Sequence, residues 1–217
     1  MRKWWWIAVG AVAVGTWAGC DTHTPRTVDS KSVAPTPSST PQRSVSTTPT
    51  TQPWYDDYDP AHFAAQVRTY ARRAGIHPQL LMAILYNESY KPHDPELERS
   101  WQRIKPDSAF GIANMHRAAF DEAKRGRDFA VRKWEELPDD PALAIEAAAW
   151  HLHDLSRQLP TTRTHRYTTD ELLALGYNTG AGNMRAFARG ATPGPQAQSY
   201  LDRLHENWAK STKAVRS

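Results

Sequence analysis

A glutamate sits on the apolar face of a helical stretch in this chain. In Leu80-Leu81-Met82-Ala83-Ile84-Leu85-Tyr86-Asn87-Glu88-Ser89, the residues Leu81, Ile84, Leu85 and Glu88 fall at i, i+3, i+4 and i+7, which is one stripe of a helix. Two readings follow. Either the helix ends at Asn87 and Glu88 leaves the core for water, or the acid is held at the mouth of an apolar surface. In the second case desolvation disfavours the ionised form and moves the carboxyl pKa upward, toward what a general acid working near neutral pH requires.

The surrounding chain reads as helix after helix. Asp59-Pro60 supplies an N-cap and an N1 proline ahead of a stripe of Phe63, Val67, Tyr70 and Ala71 that stops at Gly75. The helix bearing Glu88 starts near Pro78, and residues 109–124 carry a further, irregular helical pattern after a polar connection. Asp140-Pro141 opens the next helix, with Leu143, Ala147, Trp150 and Leu155 on one face. Thr168-Thr169-Asp170-Glu171 is a capping box, residues 183–189 form a short helix ended by Gly190, and Leu201, Leu204 and Trp208 stripe the last one. Sustained period-2 alternation is missing, so an all-α globule without internal repeats is expected.

Ahead of this globule, Met1-Arg2-Lys3 and the uncharged run at 4–19 read as a secretory n-region and h-region, 16 residues being short for a membrane span. Trp17-Ala18-Gly19-Cys20 resembles a bacterial lipobox with Trp in place of Leu, so Cys20 is expected to become a lipidated N-terminus; the alternative is an uncleaved N-terminal anchor. Cys20 is the single cysteine, which excludes an intrachain disulfide and leaves the domain to be stabilised by its core. About two thirds of residues 21–53 are Ser, Thr or Pro, with no Leu, Ile, Phe, Trp or Tyr, the composition of a disordered spacer. The expected organisation is therefore a lipoprotein signal peptide at 1–19, a linker at 20–53, a folded domain at 54–210 and a tail at 211–217.

Charge argues against nucleic acid as a partner. Residues 54–217 hold 22 Lys and Arg against 21 Asp and Glu, and the basic residues are scattered among acidic ones rather than gathered in a stripe.

Four motifs in this helical frame match one family in the right order. Asn87-Glu88-Ser89-Tyr90-Lys91-Pro92 resembles the Glu-Ser element of the soluble lytic transglycosylase (SLT) family, and Ser108-Ala109-Phe110-Gly111-Ile112-Ala113-Asn114-Met115 resembles its Gly-Leu-Met-Gln element. Leu175-Gly176-Tyr177-Asn178-Thr179-Gly180-Ala181-Gly182 is similar to its Ala-Tyr-Asn-x-Gly-x-Gly element, and Gln198-Ser199-Tyr200-Leu201 to the start of its final helix. The chain departs from the pattern at Pro92, which comes one residue early, at Tyr90, to which the preceding aromatic is displaced, and at Asn114, where Gln is usual. The connection from Glu88 to Gly111 is also longer than usual by several residues.

The resemblance implies a lysozyme-like fold with a binding groove that cleaves the β-1,4 bond between N-acetylmuramic acid and N-acetylglucosamine in peptidoglycan. Glu88 would protonate the leaving oxygen and then take the proton of the sugar's own C6 hydroxyl, giving a 1,6-anhydro product without a second carboxylate. Ser89, Gly111, Asn114, Tyr177, Asn178 and Tyr200 are the implied substrate-side residues: Gly111 for close backbone approach, Asn114 and Asn178 for amide hydrogen bonds, Tyr177 for holding the acid's orientation. No cofactor or metal is expected, and the partners are glycan strands and, through the lipid anchor, the membrane; a monomer is expected, facing the cell wall.

The residues leave other readings open. Tyr177-Asn178 with Gly180 and Gly182 also fits a helix end and turn, and Ser89 fits a local backbone-bonding residue. Asp94, Glu96, Glu98 and Asp107 fit a solvated loop face, or supply a second carboxylate for a lysozyme-like hydrolase. A third possibility is a catalytically weak wall-binding lipoprotein, suggested by Asn114 and Pro92. Trp101, Trp134 and Trp150 suit either sugar stacking or core packing.

Overall fold

Helix ends in this chain fall where capping chemistry places them. In the computed structural model, which describes residues 59–89 and 94–216, the Asp59 carboxylate accepts from the Ala61 amide at 2.9 Å and opens a 3-10 turn, Pro60–Phe63, that runs into α1 (Ala64–Ala74). Gly75 ends α1 in the left-handed region at φ 67°, where glycine carries no Cβ penalty. Pro78 is the first residue of α2 (Pro78–Glu88). Asp140 caps α5 (Pro141–Ser156) by accepting from the Leu143 amide at 2.9 Å, and both arms of the Thr168/Glu171 capping box close over α6 (Thr169–Thr179). The expected leader, Cys20 and the linker, together with Tyr90 and Pro92, lie outside the described residues.

The core forms around α2. Every residue of α2 from Leu80 to Glu88 is buried, so the stripe read from the sequence is one side of a helix enclosed all round. Its broadest contact is with α8 (Pro195–Arg216), and it also touches α1 and α6. On the other side of α1 lies α5, whose Leu143, Ala144, Ile145, Ala147, Ala148 and Ala149 are fully or almost fully buried and whose small side chains let neighbouring backbones approach. α7 (Ala181–Ala188) follows α6 directly and packs against it, with the Gly176 Cα facing the Met184 side chain.

Three expectations need correction. The polar connection contains a helix, α3 (Pro95–Ile104), capped by Asp94, which accepts from the Glu96 and Leu97 amides. Its apolar residues Leu97, Trp101 and Ile104 are exposed and only Gln102 is buried, so its pattern carries no core-facing stripe to read. The stretch from 109 is not helical at first: β1 (Ala109–Phe110) and β2 (Met115–His116) pair antiparallel across a tight turn, and α4 (Arg117–Ala123) begins only afterwards. Strands of two residues are too short to show a period. Finally, α8 continues through Arg216 with Ser211 and Ala214 buried, so residues 211–216 extend the domain rather than form a tail.

Candidate active site

Glu88 is the last residue of α2 and only 6% exposed, so the reading in which it turns out into water does not hold. Its two carboxyl oxygens receive different donors. Asn114 Nδ2 donates to Oε2 at 2.9 Å, and the Tyr200 hydroxyl donates to Oε1 at 2.9 Å. Next to it, Asn87 Nδ2 donates to the Tyr200 carbonyl at 3.0 Å while Asn207 Nδ2 donates to Asn87 Oδ1 at 2.9 Å, which ties the end of α2 to α8. Burial, and then the charge of Glu88, push the Tyr200 phenol well above its ordinary pKa, so it stays protonated and serves as a donor.

Asn114 reaches the acid from the turn between β1 and β2. That turn closes with the Asn114 amide on the Gly111 carbonyl at 2.8 Å, and both ends are left-handed, Gly111 at φ 73° and Asn114 at φ 46°. A Cβ on Gly111 would lie 2.7 Å from the Leu137 carbonyl oxygen. Glu98 on α3 accepts from the Gly111 amide at 2.9 Å, and the Tyr177 hydroxyl donates to the Ala113 carbonyl at 2.6 Å. The Tyr177 phenol is likewise raised, first by burial and then by Glu88, and packs edge-on against His151, whose own pKa burial lowers. Three separate elements thus hold one short turn in place.

In front of Glu88 opens a cleft of about 1270 Å³, bounded by the β1–β2 turn, the end of α6, α7 and the start of α8. Asn114, Asn178, Thr179 and Asn183 line one part, and Gln196, Ser199, Tyr200 and Arg203 another. Among the described residues Glu88 is the one acid on its walls, where the side-chain amides and hydroxyls suit sugar acetamido and hydroxyl groups and Phe187 and several alanines add apolar surface. No group of three or more His, Cys, Asp or Glu stands where it could hold a metal ion among the described residues.

The family model for the transglycosylase SLT domain matches residues 66–200, from within α1 to the tyrosine that holds Glu88. This chain belongs to the SLT family. No curated protein matches it. Membership places the SLT domain among lytic-transglycosylase and lysozyme-like proteins acting on peptidoglycan, outside the cytoplasm, and the helical architecture agrees with the expected lysozyme-like class. No helix among the described residues is long and apolar enough to cross a membrane.

The SLT cleft gathers some of the expected site residues and not others. Glu88, Asn114 and Tyr200 come together, and Asn178 lines the cleft. Tyr200, expected on the substrate side, is buried with its hydroxyl on the acid, whereas Tyr177, expected to orient the acid, holds the Ala113 carbonyl one residue before Asn114. Gly111 faces Leu137 rather than the cleft, and the Ser89 hydroxyl donates back to the Tyr86 carbonyl at 2.9 Å, the local role open to serine at a helix end. Asp94 caps α3 and Glu98 braces the turn, while Trp134 is core, with its indole N–H on the Met115 carbonyl at 2.8 Å. Asn87, Thr179, Asn183 and Arg203 had no role assigned from the sequence, and Glu98, weighed there as a loop acid or second carboxylate, instead accepts from the Gly111 amide. Asn87 and Thr179 stood inside recognised motifs, and the polarity of Asn87 on a leucine-rich helix was a further signal; Asn183 and Arg203 carry none before the cleft exists.

Proposed function

We propose that this SLT domain is a peptidoglycan lytic transglycosylase that cleaves the β-1,4 bond from N-acetylmuramic acid to N-acetylglucosamine, with Glu88 as its single acid and base. The observation that carries the reading is that Glu88 is the one acid on the cleft walls among the described residues, held by a donor on each oxygen. Protonated Glu88 gives its proton to the glycosidic oxygen as the C1–O bond breaks. The sugar's C6 hydroxyl oxygen then bonds to C1 and its proton passes to the Glu88 carboxylate, so no water is consumed and the product is a 1,6-anhydro sugar. The substrate's acetamido group and the preorganised amides of the cleft offset the positive charge that develops at C1. A hydrolase needs a second carboxylate to activate water, and the acids of the 94–107 segment that could have supplied one include Asp94, spent on a helix cap, and Glu98, which braces Gly111.

Mass spectrometry of a peptidoglycan digest tests the reading. Fragments with 1,6-anhydromuramyl ends are expected; fragments heavier by one water, with free reducing ends, would replace transglycosylation by hydrolysis. Export and tethering belong to the same proposal: the leader and the lipobox-like Trp17-Ala18-Gly19-Cys20 support a lipid-anchored protein whose Ser/Thr/Pro-rich linker lets the domain reach the wall.

A further inference from the structure

The cleft carries two charged residues among its described lining, Glu88 and Arg203. Arg203 follows Tyr200 by three positions on α8, so the two share a helix face, and its guanidinium carbon lies 5.8 Å from the Tyr200 ring centroid. The hydroxyl of that same ring is 2.9 Å from Glu88. Nine other arginines and lysines of the described chain meet a carboxylate or a backbone carbonyl; among the described residues Arg203 has neither contact, and its guanidinium lies over the Tyr200 ring. An exposed guanidinium that is the one cation among the described lining of the cleft is a selective group for an anion, and its planar fork fits a carboxylate through two parallel N–H donors.

We propose that Arg203 is a substrate-binding residue that reads a carboxylate on the glycan strand next to the bond being cut. This rests on the function proposed above for the cleft. In such a strand the hydroxyl and acetamido groups are neutral, and the anions are carboxylates: the lactyl carboxylate of muramic acid where the strand bears no peptide, or the free carboxylates of the peptide stem where it does. Holding either one fixes the register of the strand along α8, so that the glycosidic oxygen is presented to Glu88.

The test compares the full chain, Arg203→Gln and Arg203→Lys on four substrates: peptide-free and stem-bearing strands, each with carboxylates intact or converted to carboxamides. With carboxylates intact, Arg203→Gln should lose about tenfold in kcat/KM, mostly through KM, as expected for removing a charge-assisted contact. Arg203→Lys should recover part of the loss. On carboxamide strands the wild type should fall to the level of Arg203→Gln, and the variant should be indifferent to the conversion. The carboxylated strand on which wild type and Arg203→Gln differ identifies the lactyl or the stem carboxylate as the source. Equal sensitivity of wild type and Arg203→Gln to carboxamide conversion overturns the proposal. Free reducing ends in the products would overturn the transglycosylase reading and leave this comparison intact; if turnover is too slow to follow, the same four strands are compared by calorimetric binding, with the same criteria.

Discussion

Glu88 and Tyr200 form the most consequential pair of residues in the domain, because one carries the proposed chemistry and the other donates its buried hydroxyl to it. Glu88→Gln keeps the shape of the site: the amide oxygen can accept from Asn114 Nδ2 and the amide nitrogen can donate to the Tyr200 oxygen, replacing both existing hydrogen bonds. Only proton delivery is lost. Turnover should fall by about 10²-fold or more, while melting temperature holds or rises because a buried carboxylate no longer has to be desolvated. Tyr200→Phe makes the opposite change, leaving the acid and removing a donor to its charged form. Loss of that donor favours the protonated carboxyl, so the limb of the pH–rate profile on which activity falls with rising pH should move to higher pH. Near-native turnover by Glu88→Gln, or an unshifted limb in Tyr200→Phe, would mean that the acid or its orienting group has been misassigned.

At the scale of elements, the β1–β2 turn decides where Asn114 points, and Gly111 decides whether the turn can form. Alanine there faces two obstacles, a left-handed φ of 73° and a Cβ 2.7 Å from the Leu137 carbonyl, which is backbone and cannot swing aside. Gly111→Ala should therefore destabilise the fold by about 2–4 kcal/mol. Gly182 is the control: it lies within α7, and an added Cβ meets nothing within 4 Å. Gly182→Ala should be neutral or stabilising by up to about 1 kcal/mol, since alanine is the better helix former. Urea denaturation of the two variants separates a glycine required by packing from one that is merely tolerated; equal midpoints would remove the argument for the turn.

For the whole molecule, α2 is enclosed by α1, α6 and α8 and ends at the cleft with its acid, so burial of one helix serves both stability and the site. With a single cysteine, outside the described residues, this packing stabilises the domain without a disulfide. The tether proposed at Cys20 is then separable from the fold. Cys20→Ala should leave the melting temperature of the domain unchanged while moving the protein out of the membrane fraction or stalling its processing. Unaltered partitioning and mass, read by fractionation and intact-protein mass spectrometry, would favour an uncleaved anchor.

What was legible in the sequence is what depends on neighbours a few residues apart. Asp59, Asp140, Thr168 with Glu171, and Gly75 marked helix ends because a cap satisfies amides or carbonyls within about one turn of itself. Glu88 could be singled out because its conflict with the leucines around it is also local. Motif order carried the family. The partners of the acid were another matter: Tyr200 is 112 positions away from Glu88, and Tyr177 is 64 from the carbonyl it holds. Both tyrosines sat in recognised motifs, and the one that reaches the acid is Tyr200 rather than Tyr177, because which hydroxyl reaches the carboxylate depends on how α6 and α8 pack against α2. The same holds for Gly111, whose neighbour Leu137 is brought to it only by folding. Local chemistry determined the helices and the acid; side-chain direction after packing, which has no local cause, decided what holds that acid in place.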